Sequence, residues 1–233
     1  MTKNISNIHG LETLLEDIQN QKYKAAIFDI DGTLIDSMGF WKNLASEYLT
    51  TKGIGEIPGE ILERIKPMTM FESAALFKQA FGLTGDVEAE MNAMMDEHYR
   101  RDIPLRPGVF AYLEGLRRRG VAMCVASATA EELMEACLTR LGVAQHFSFL
   151  LSCEQVGAGK NRPDVFWEAA RRLEAQPKDI AVYEDALYAA DTAKRAGFYT
   201  IAVRDDSNQS QWETLTALAD ETIPDWQQAA QTL

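Results

Sequence analysis

Cysteine is scarce in this chain of 233 residues, with only Cys124, Cys137 and Cys153. Their number is odd, their spacing wide, and two lie in apolar contexts, which argues against a disulfide framework and against a zinc site. Buried, reduced thiols are the expectation. Long apolar runs are also missing. None approaches the ~18 residues that a membrane-spanning helix needs, and Met1-Thr2-Lys3-Asn4 leads into no secretory apolar segment. No membrane association is expected, and the expected location is the cytoplasm. Basic charge is short as well: 23 Lys and Arg stand against 35 Asp and Glu, a net charge of −12. Nucleic acid and anionic lipid favour basic faces, so neither is an expected partner. An acidic protein that acts on phosphates must place positive charge locally, from a metal or a few Lys and Arg side chains. Histidine is rare, and His9, His98 and His146 have no partner at ligand spacing. They read as surface or satisfied core residues.

What is present reads as an ordinary globular chain, long enough for one core and a smaller second unit. Leu11, Leu14, Leu15 and Ile18 at helical spacing make residues 1–22 an amphipathic N-terminal extension, with a surface for the core or a partner subunit. The oligomeric state is left open. Ala25-Ala26-Ile27-Phe28 reads as a buried strand. After Asp36 the pattern changes to four helical segments, marked by Phe40 to Leu49, Pro58 to Ile65, Phe71 to Phe81 and Val87 to Tyr99. Asp86 suits an N-cap, and Met91, Met94 and Met95 suit packing between these helices. From Arg106, strands at Val121–Ala126, Phe149–Leu151, Ile180–Tyr183 and Tyr199–Val203 alternate with helices. Continuous apolar strands in that alternation predict an α/β fold with a doubly wound parallel sheet. The expected division is an α/β core of 23–36 plus 105–233 and an inserted all-helical cap of 37–104.

In doubly wound sheets, ligands bind beyond the carboxyl ends of the strands. Asp29 and Asp31, then Ser127, then Glu184 and Asp185 all fall at predicted strand ends, and Lys160 lies in a loop after another strand. Two carboxylates one residue apart repel each other, so a nearby cation or a shared proton is required to hold them together. Each group also has a plain structural reading. Asp31-Gly32-Thr33 is a common turn after a buried strand. Ser127 suits a helix cap, Lys160 a solvated loop, and Glu184-Asp185 the start of a helix, where acids suit the dipole.

Taken together, Asp29-Ile30-Asp31-Gly32-Thr33, Ser127 in Val125-Ala126-Ser127-Ala128-Thr129, Lys160 before Asn161-Arg162-Pro163-Asp164, and Glu184-Asp185 resemble the motifs of the haloacid dehalogenase-like hydrolase superfamily. The resemblance covers about residues 23–205 and is to the phosphatase branch with a small helical cap of the C1 type. That branch also holds phosphoglycolate phosphatase- and β-phosphoglucomutase-like proteins. It implies a Rossmann-like core and a Mg²⁺-dependent phosphatase that hydrolyses a small phosphorylated metabolite through an aspartyl-phosphate. In that scheme Asp29 attacks phosphorus, and Asp31 protonates the leaving alcohol and then activates water. Ser127 and Lys160 steady the transferring phosphoryl oxygens. Asp29, the backbone carbonyl of Asp31, and Asp185 with Glu184 hold the metal, for which Mg²⁺ suits the hard oxygen ligands. Gly32, Thr33 and Ala128 complete the phosphate site. The cap candidates Phe40, Trp41, Lys66, Met68, Met70 and Phe71 face the leaving group, with Trp41 and Lys66 chosen as substrate contacts. The chain departs from the family pattern at Asn161, Ala186 and Ala189. Asp31 disfavours a dehalogenase, while Trp41 and Met70 stand where mutases carry His and Arg. A phosphosugar mutase and a non-catalytic metal-binding protein of the same fold remain the alternatives.

Overall fold

β1 (Ala25–Phe28) is buried along its whole length and sits between two parallel neighbours, β2 (Ala122–Ser127) and β4 (Ile180–Glu184). The computed structural model describes residues 22–55, 57–65 and 70–233. Phe28 pairs in register with Val125 on one side and Tyr183 on the other. β3 (Leu150–Ser152) lies beyond β2, and β5 (Tyr199–Val203) and β6 (Glu221–Ile223) beyond β4. All pairings are parallel and the order is β3-β2-β1-β4-β5-β6. This is the doubly wound arrangement expected from the alternation. Strand order reverses between β1 and β4, which opens a crevice at their carboxyl ends. β1 and β4 have no exposed face, so each carries an unbroken apolar run instead of alternating polarity. Burying Ile27 or Phe28, both at 0% exposure, is worth roughly 1.5–3 kcal/mol per side chain.

The described residues divide into two compact units, one of 22–36 with 104–233, the other Ser37–Ile103. In the first unit, the exit and return of the chain lie side by side. The Asp36 amide donates to the Pro104 carbonyl (3.0 Å), the Arg106 amide to the Leu34 carbonyl (3.0 Å), and Ile35 bridges Leu105. The second unit holds α1 (Met38–Thr51), α2 (Gly59–Ile65), α3 (Met70–Phe81) and α4 (Val87–Arg101), with no strand among its described residues. α4 shows why a sequence of this kind forms a helix. The Asp86 carboxylate accepts from the Ala89 amide at 3.1 Å, Glu88 and Glu90 occupy the first turn, and Arg100 and Arg101 occupy the last. Its buried residues Val87, Met91, Met95 and Tyr99 recur every four positions and form one apolar stripe.

The first unit continues with α5 (Val109–Arg118), α6 (Glu131–Arg140), a single turn α7 (Cys153–Val156), α8 (Asp164–Arg172), α9 (Leu187–Arg195), α10 (Trp212–Leu218) and α11 (Trp226–Ala230). No described helix is long and apolar enough to cross a membrane. The three cysteines are free and buried. The expected N-terminal helix falls outside the described residues. β6 is a finding the pattern did not foretell, because three residues at the sheet edge with only Ile223 buried give no readable period.

Candidate active site

The site forms where β1 and β4 end. The Asp29 amide still donates to the Tyr183 carbonyl (3.0 Å), so the Asp29 side chain is carried on the last rung of the ladder. Beyond it the chain turns at once: the Leu34 and Ile35 amides both donate to the Ile30 carbonyl, and the Gly32 amide donates to Ile35. Gly32 takes φ +76°, a left-handed conformation that a side chain makes costly. β4 ends in the same crevice and presents Glu184 and Asp185 there.

One carboxylate oxygen from each of Asp29, Glu184 and Asp185 lies within 4.8 Å of the others, and all three residues are buried. Lys160, 4% exposed, reaches this group from the turn before α8. Its ammonium donates to Asp29 and, at 2.6 Å, to Glu184. Burial opposes the Lys160 charge, but Asp29 and Glu184 outweigh it and hold the ammonium above its ordinary range. Burial pushes all three acids up. Asp29 rises despite the attraction of Lys160, Glu184 rises to about 8, and Asp185 rises to about 7 with repulsion from Asp29 added. One ammonium is too little for three buried carboxylates. Hard oxygen donors held this close suit a divalent cation, and the donor set therefore fits one.

Asp31 is not one of the three grouped carboxylates, although its charge adds to the repulsion that raises Asp29. Its Oδ2 accepts from the Thr129 hydroxyl at 2.6 Å, while the Thr129 amide donates to Ser127 Oγ at 3.2 Å. The buried Ser127 thus ends β2 and does not cap α6, whose N-cap is Ala130. Likewise Lys160 is buried, not solvated, and the N-cap of α9 is Ala186, so Glu184 and Asp185 lie ahead of that helix. Ala128 is exposed beside Ser127. Thr33 donates through its hydroxyl to Asp185 Oδ1 at 3.2 Å. Asp29, Asp31, Gly32, Thr33, Ser127, Ala128, Lys160, Glu184 and Asp185 all belong to the first unit.

The proposed cap contacts belong to the second unit. Trp41, 36% exposed, donates its indole N–H to the Tyr99 hydroxyl at 3.2 Å. Phe40 lies 4.8 Å from the His98 ring, and Phe71 is exposed. Lys66 and Met68 fall outside the described residues. His98 bridges Asp102 (2.8 Å) and Glu47 (3.0 Å), as a surface histidine should. His146 corrects the expectation of a satisfied core histidine. It is buried with neither ring nitrogen hydrogen-bonded, and the nearest carboxylate, Glu114, stands 3.4 Å from Nε2.

Several side chains at the site carried no motif. Arg106 donates to the Gly32 carbonyl, to Asp205 Oδ2 (2.9 Å) and to the Arg204 carbonyl (2.5 Å). Asn208 donates to Asp185 Oδ2 (2.7 Å), and Trp226 donates to the Thr33 carbonyl (3.0 Å). Thr129 stood inside the Ser127 stretch without a role. Asp205 to Asn208 follow the carboxyl end of β5, so the strand-end rule alone was the available signal.

A family model for the haloacid dehalogenase-like hydrolases matches residues 23–197. The bifunctional riboflavin kinase/FMN phosphatase of Arabidopsis thaliana is 30% identical over 206 residues, 84% of this chain, which spans about half of that protein (52%). The phosphoglycolate phosphatase of Nitrosospira multiformis is 27% identical over 192 residues, covering 77% of this chain and 82% of its own. A solved structure of a putative β-phosphoglucomutase from Thermotoga maritima superposes with a TM-score of 0.77 at 21% identity, over 90% of this chain and 97% of its own, a likeness of fold. With its sheet order and its strand-end residues, the chain belongs to the haloacid dehalogenase-like hydrolase family.

Proposed function

We propose that the chain is a Mg²⁺-dependent phosphatase that hydrolyses a small phosphate monoester through an aspartyl-phosphate on Asp29. The observation that carries this reading is the Asp29 carboxylate itself, fixed on the last rung of β1, ion-paired with Lys160 and grouped with Glu184 and Asp185. Relatives named as an FMN phosphatase and a phosphoglycolate phosphatase support the same chemistry.

Asp29 attacks phosphorus and the phosphorus–oxygen bond to the alcohol breaks. Lys160 holds the nucleophile and, with Ser127 and the backbone N–H groups at Thr33 and Ala128, binds the equatorial phosphoryl oxygens, while Gly32 shapes the turn that presents them. Asp31 gives its proton to the departing alkoxide, then takes one from the water that attacks the acyl phosphate. The Thr129 hydroxyl at 2.6 Å fixes the direction in which the Asp31 carboxyl points. Asp29, Asp185 and the Asp31 carbonyl would hold the cation, with Glu184 shared between it and Lys160. When bound, the cation neutralises phosphate charge and permits the anionic nucleophile to approach.

The test is phosphate release from a panel of phosphorylated metabolites with Mg²⁺, together with mass detection of a phosphorylated Asp29 peptide after acid quench. Asp29→Asn should lose at least about 10³-fold in kcat, the loss typical of a catalytic nucleophile, and give no modified peptide. Equal turnover by Asp29→Asn overturns the proposal. Conversion of a hexose 1-phosphate to its 6-phosphate without release of phosphate replaces it with a mutase.

A further inference from the structure

We infer that Asn208 is a positioning residue for the divalent cation, acting through Asp185, and that Arg106 and Asp205 hold it in place. The inference rests on the proposed phosphatase reading for its reaction but on geometry for its content. Asp185 must present one lone pair to a cation while buried beside two other acids, and this requires that its remaining acceptor capacity be met by donors fixed in space. Its own neighbour has no side-chain donor to offer, since residue 186 is alanine. Thr33 supplies one donor at 3.2 Å to Oδ1. The shorter contact comes from Asn208, whose Nδ2 donates to Oδ2 at 2.7 Å and lies 3.2 Å from the Asp185 carbonyl. One amide nitrogen thus reaches both the side chain and the backbone of the same residue, which fixes the rotamer of Asp185 relative to the end of β4.

Asn208 is itself held. It lies at a non-helical kink (φ −104°, ψ 17°) in the 3₁₀ segment Asp206–Gln211, and its amide donates to the Asp205 carbonyl at 3.3 Å. The buried Asp205 carboxylate accepts from the Ser207 amide (2.8 Å) and hydroxyl (2.5 Å) at the start of that segment. Its other oxygen pairs with Arg106, whose guanidinium also donates to the Gly32 carbonyl. The circuit therefore closes: Gly32 to Arg106, Arg106 to Asp205, Asp205 through its loop to Asn208, Asn208 to Asp185, and Asp185 back to Thr33. It ties the turn that carries Asp31 to the strand end that carries Asp185, through residues that belong to none of the four motifs. The donor must be neutral. A lysine here would compete with the cation for Asp185, whereas an amide orients the carboxylate and leaves its charge available.

The experiment measures Mn²⁺ and Mg²⁺ binding by titration calorimetry, alongside phosphatase kinetics over a range of Mg²⁺. Asn208→Leu preserves approximate volume without a donor, and Asn208→Ala removes the volume as well. Both should weaken metal binding about tenfold, in the range that loss of an outer-shell partner typically costs. Both should raise the half-saturating Mg²⁺ concentration by the same factor, while KM for the phosphate ester at saturating Mg²⁺ stays as in the parent. A filler role would instead leave Asn208→Leu at parental affinity, and unchanged metal binding in either variant overturns the inference. Asp185→Asn serves as the control that abolishes binding. Weakened metal binding in a protein that hydrolyses none of the phosphates would sink the phosphatase reading and leave this inference standing. Normal hydrolysis with unchanged metal affinity would do the reverse.

Discussion

Replacing Asp185 by asparagine should abolish phosphatase activity and yet stabilise the metal-free protein. Asp185 is buried beside Asp29 and Glu184, and its carboxyl rises from 3.8 to about 7. The sign follows from proton linkage. An acid with a raised pKa binds more protons folded than unfolded, so stability is lost as pH rises from the unfolded value toward the folded one. The window is therefore from pH 3.8 to about 7, with Glu184 extending it to about 8. A displacement of roughly three units at about 1.36 kcal/mol each is worth about 4 kcal/mol for an isolated group. Asp29 and Glu184 titrate together with Asp185 and share that penalty, so about 2 kcal/mol is the share assigned to one carboxylate.

At roughly 2–4 °C per kcal/mol for a chain of this size, Asp185→Asn should raise Tm by about 4–8 °C at pH 8 in EDTA. The substituted amide keeps an oxygen to accept from Asn208, and its nitrogen can donate to the Thr33 hydroxyl, which accepts as well as donates, so the gain is not lost to an orphaned donor. At pH 5 the difference should fall to well under half, because most of the window lies above that pH. With excess Mg²⁺ the order should reverse, since binding stabilises only the parent. Differential scanning fluorimetry at both pH values, with and without Mg²⁺, measures all of this. A lower Tm for Asp185→Asn in EDTA at pH 8, or a gap independent of pH, would refute the repulsion argument.

Two other sites make independent predictions. Trp226→Phe keeps the ring stack on Tyr183 but removes the indole donor to the Thr33 carbonyl. A buried carbonyl left without its partner should cost about 1–3 kcal/mol by urea denaturation, and an unchanged midpoint would show that the bond carries nothing. Burial holds the His146 imidazole below its ordinary range, opposed by Glu114 on α5 and aided by Arg117 on the same helix. A histidine depressed in the folded state loses stability as pH falls below its unfolded value. His146→Leu should therefore stabilise the protein by about 1–2 kcal/mol, with a gap that widens from pH 7 to pH 5.5, and a narrowing gap would contradict the assignment.

Much of this site was legible because each of its main residues ends or follows a strand with an unbroken apolar run. The run Ala25–Phe28 announces a strand buried on both faces, and Asp29 is the first polar residue after it. The runs ending at Ser127 and at Glu184 behave in the same way. Where position in the chain coincides with position in the sheet, sequence order is sufficient. The supporting shell was not legible for a matching reason. Arg106 and Asp205 meet across 99 residues, and Thr33 and Trp226 across 193. No local period encodes a contact of that span. Asn208 follows a recognisable strand, but its Asp-Asp-Ser-Asn surroundings read equally well as an exposed turn. β6 failed for want of length, and His146 because a sequence shows apolar neighbours but not whether an imidazole within them finds a partner.

The charge balance of the site connects the composition to the chemistry. The protein as a whole is strongly acidic, a poor background for attracting phosphate. Fully ionised, the three buried carboxylates of the crevice would exceed its one ammonium by two negative charges. A divalent ion cancels that excess, whereas a monovalent one leaves a buried anion. Lys160 alone cannot perform this function, because it is already engaged with Asp29 and Glu184. Burial and mutual repulsion raise these acids, and a bound cation would relieve that repulsion at the carboxyl ends of β1 and β4. On the proposed phosphatase reading, the cation would be a condition of phosphate binding, not only of turnover. The circuit through Arg106, Asp205 and Asn208 has a physical reason in the same balance, since carboxylates that repel one another stay aimed at a common point only when neutral donors outside the group hold them there.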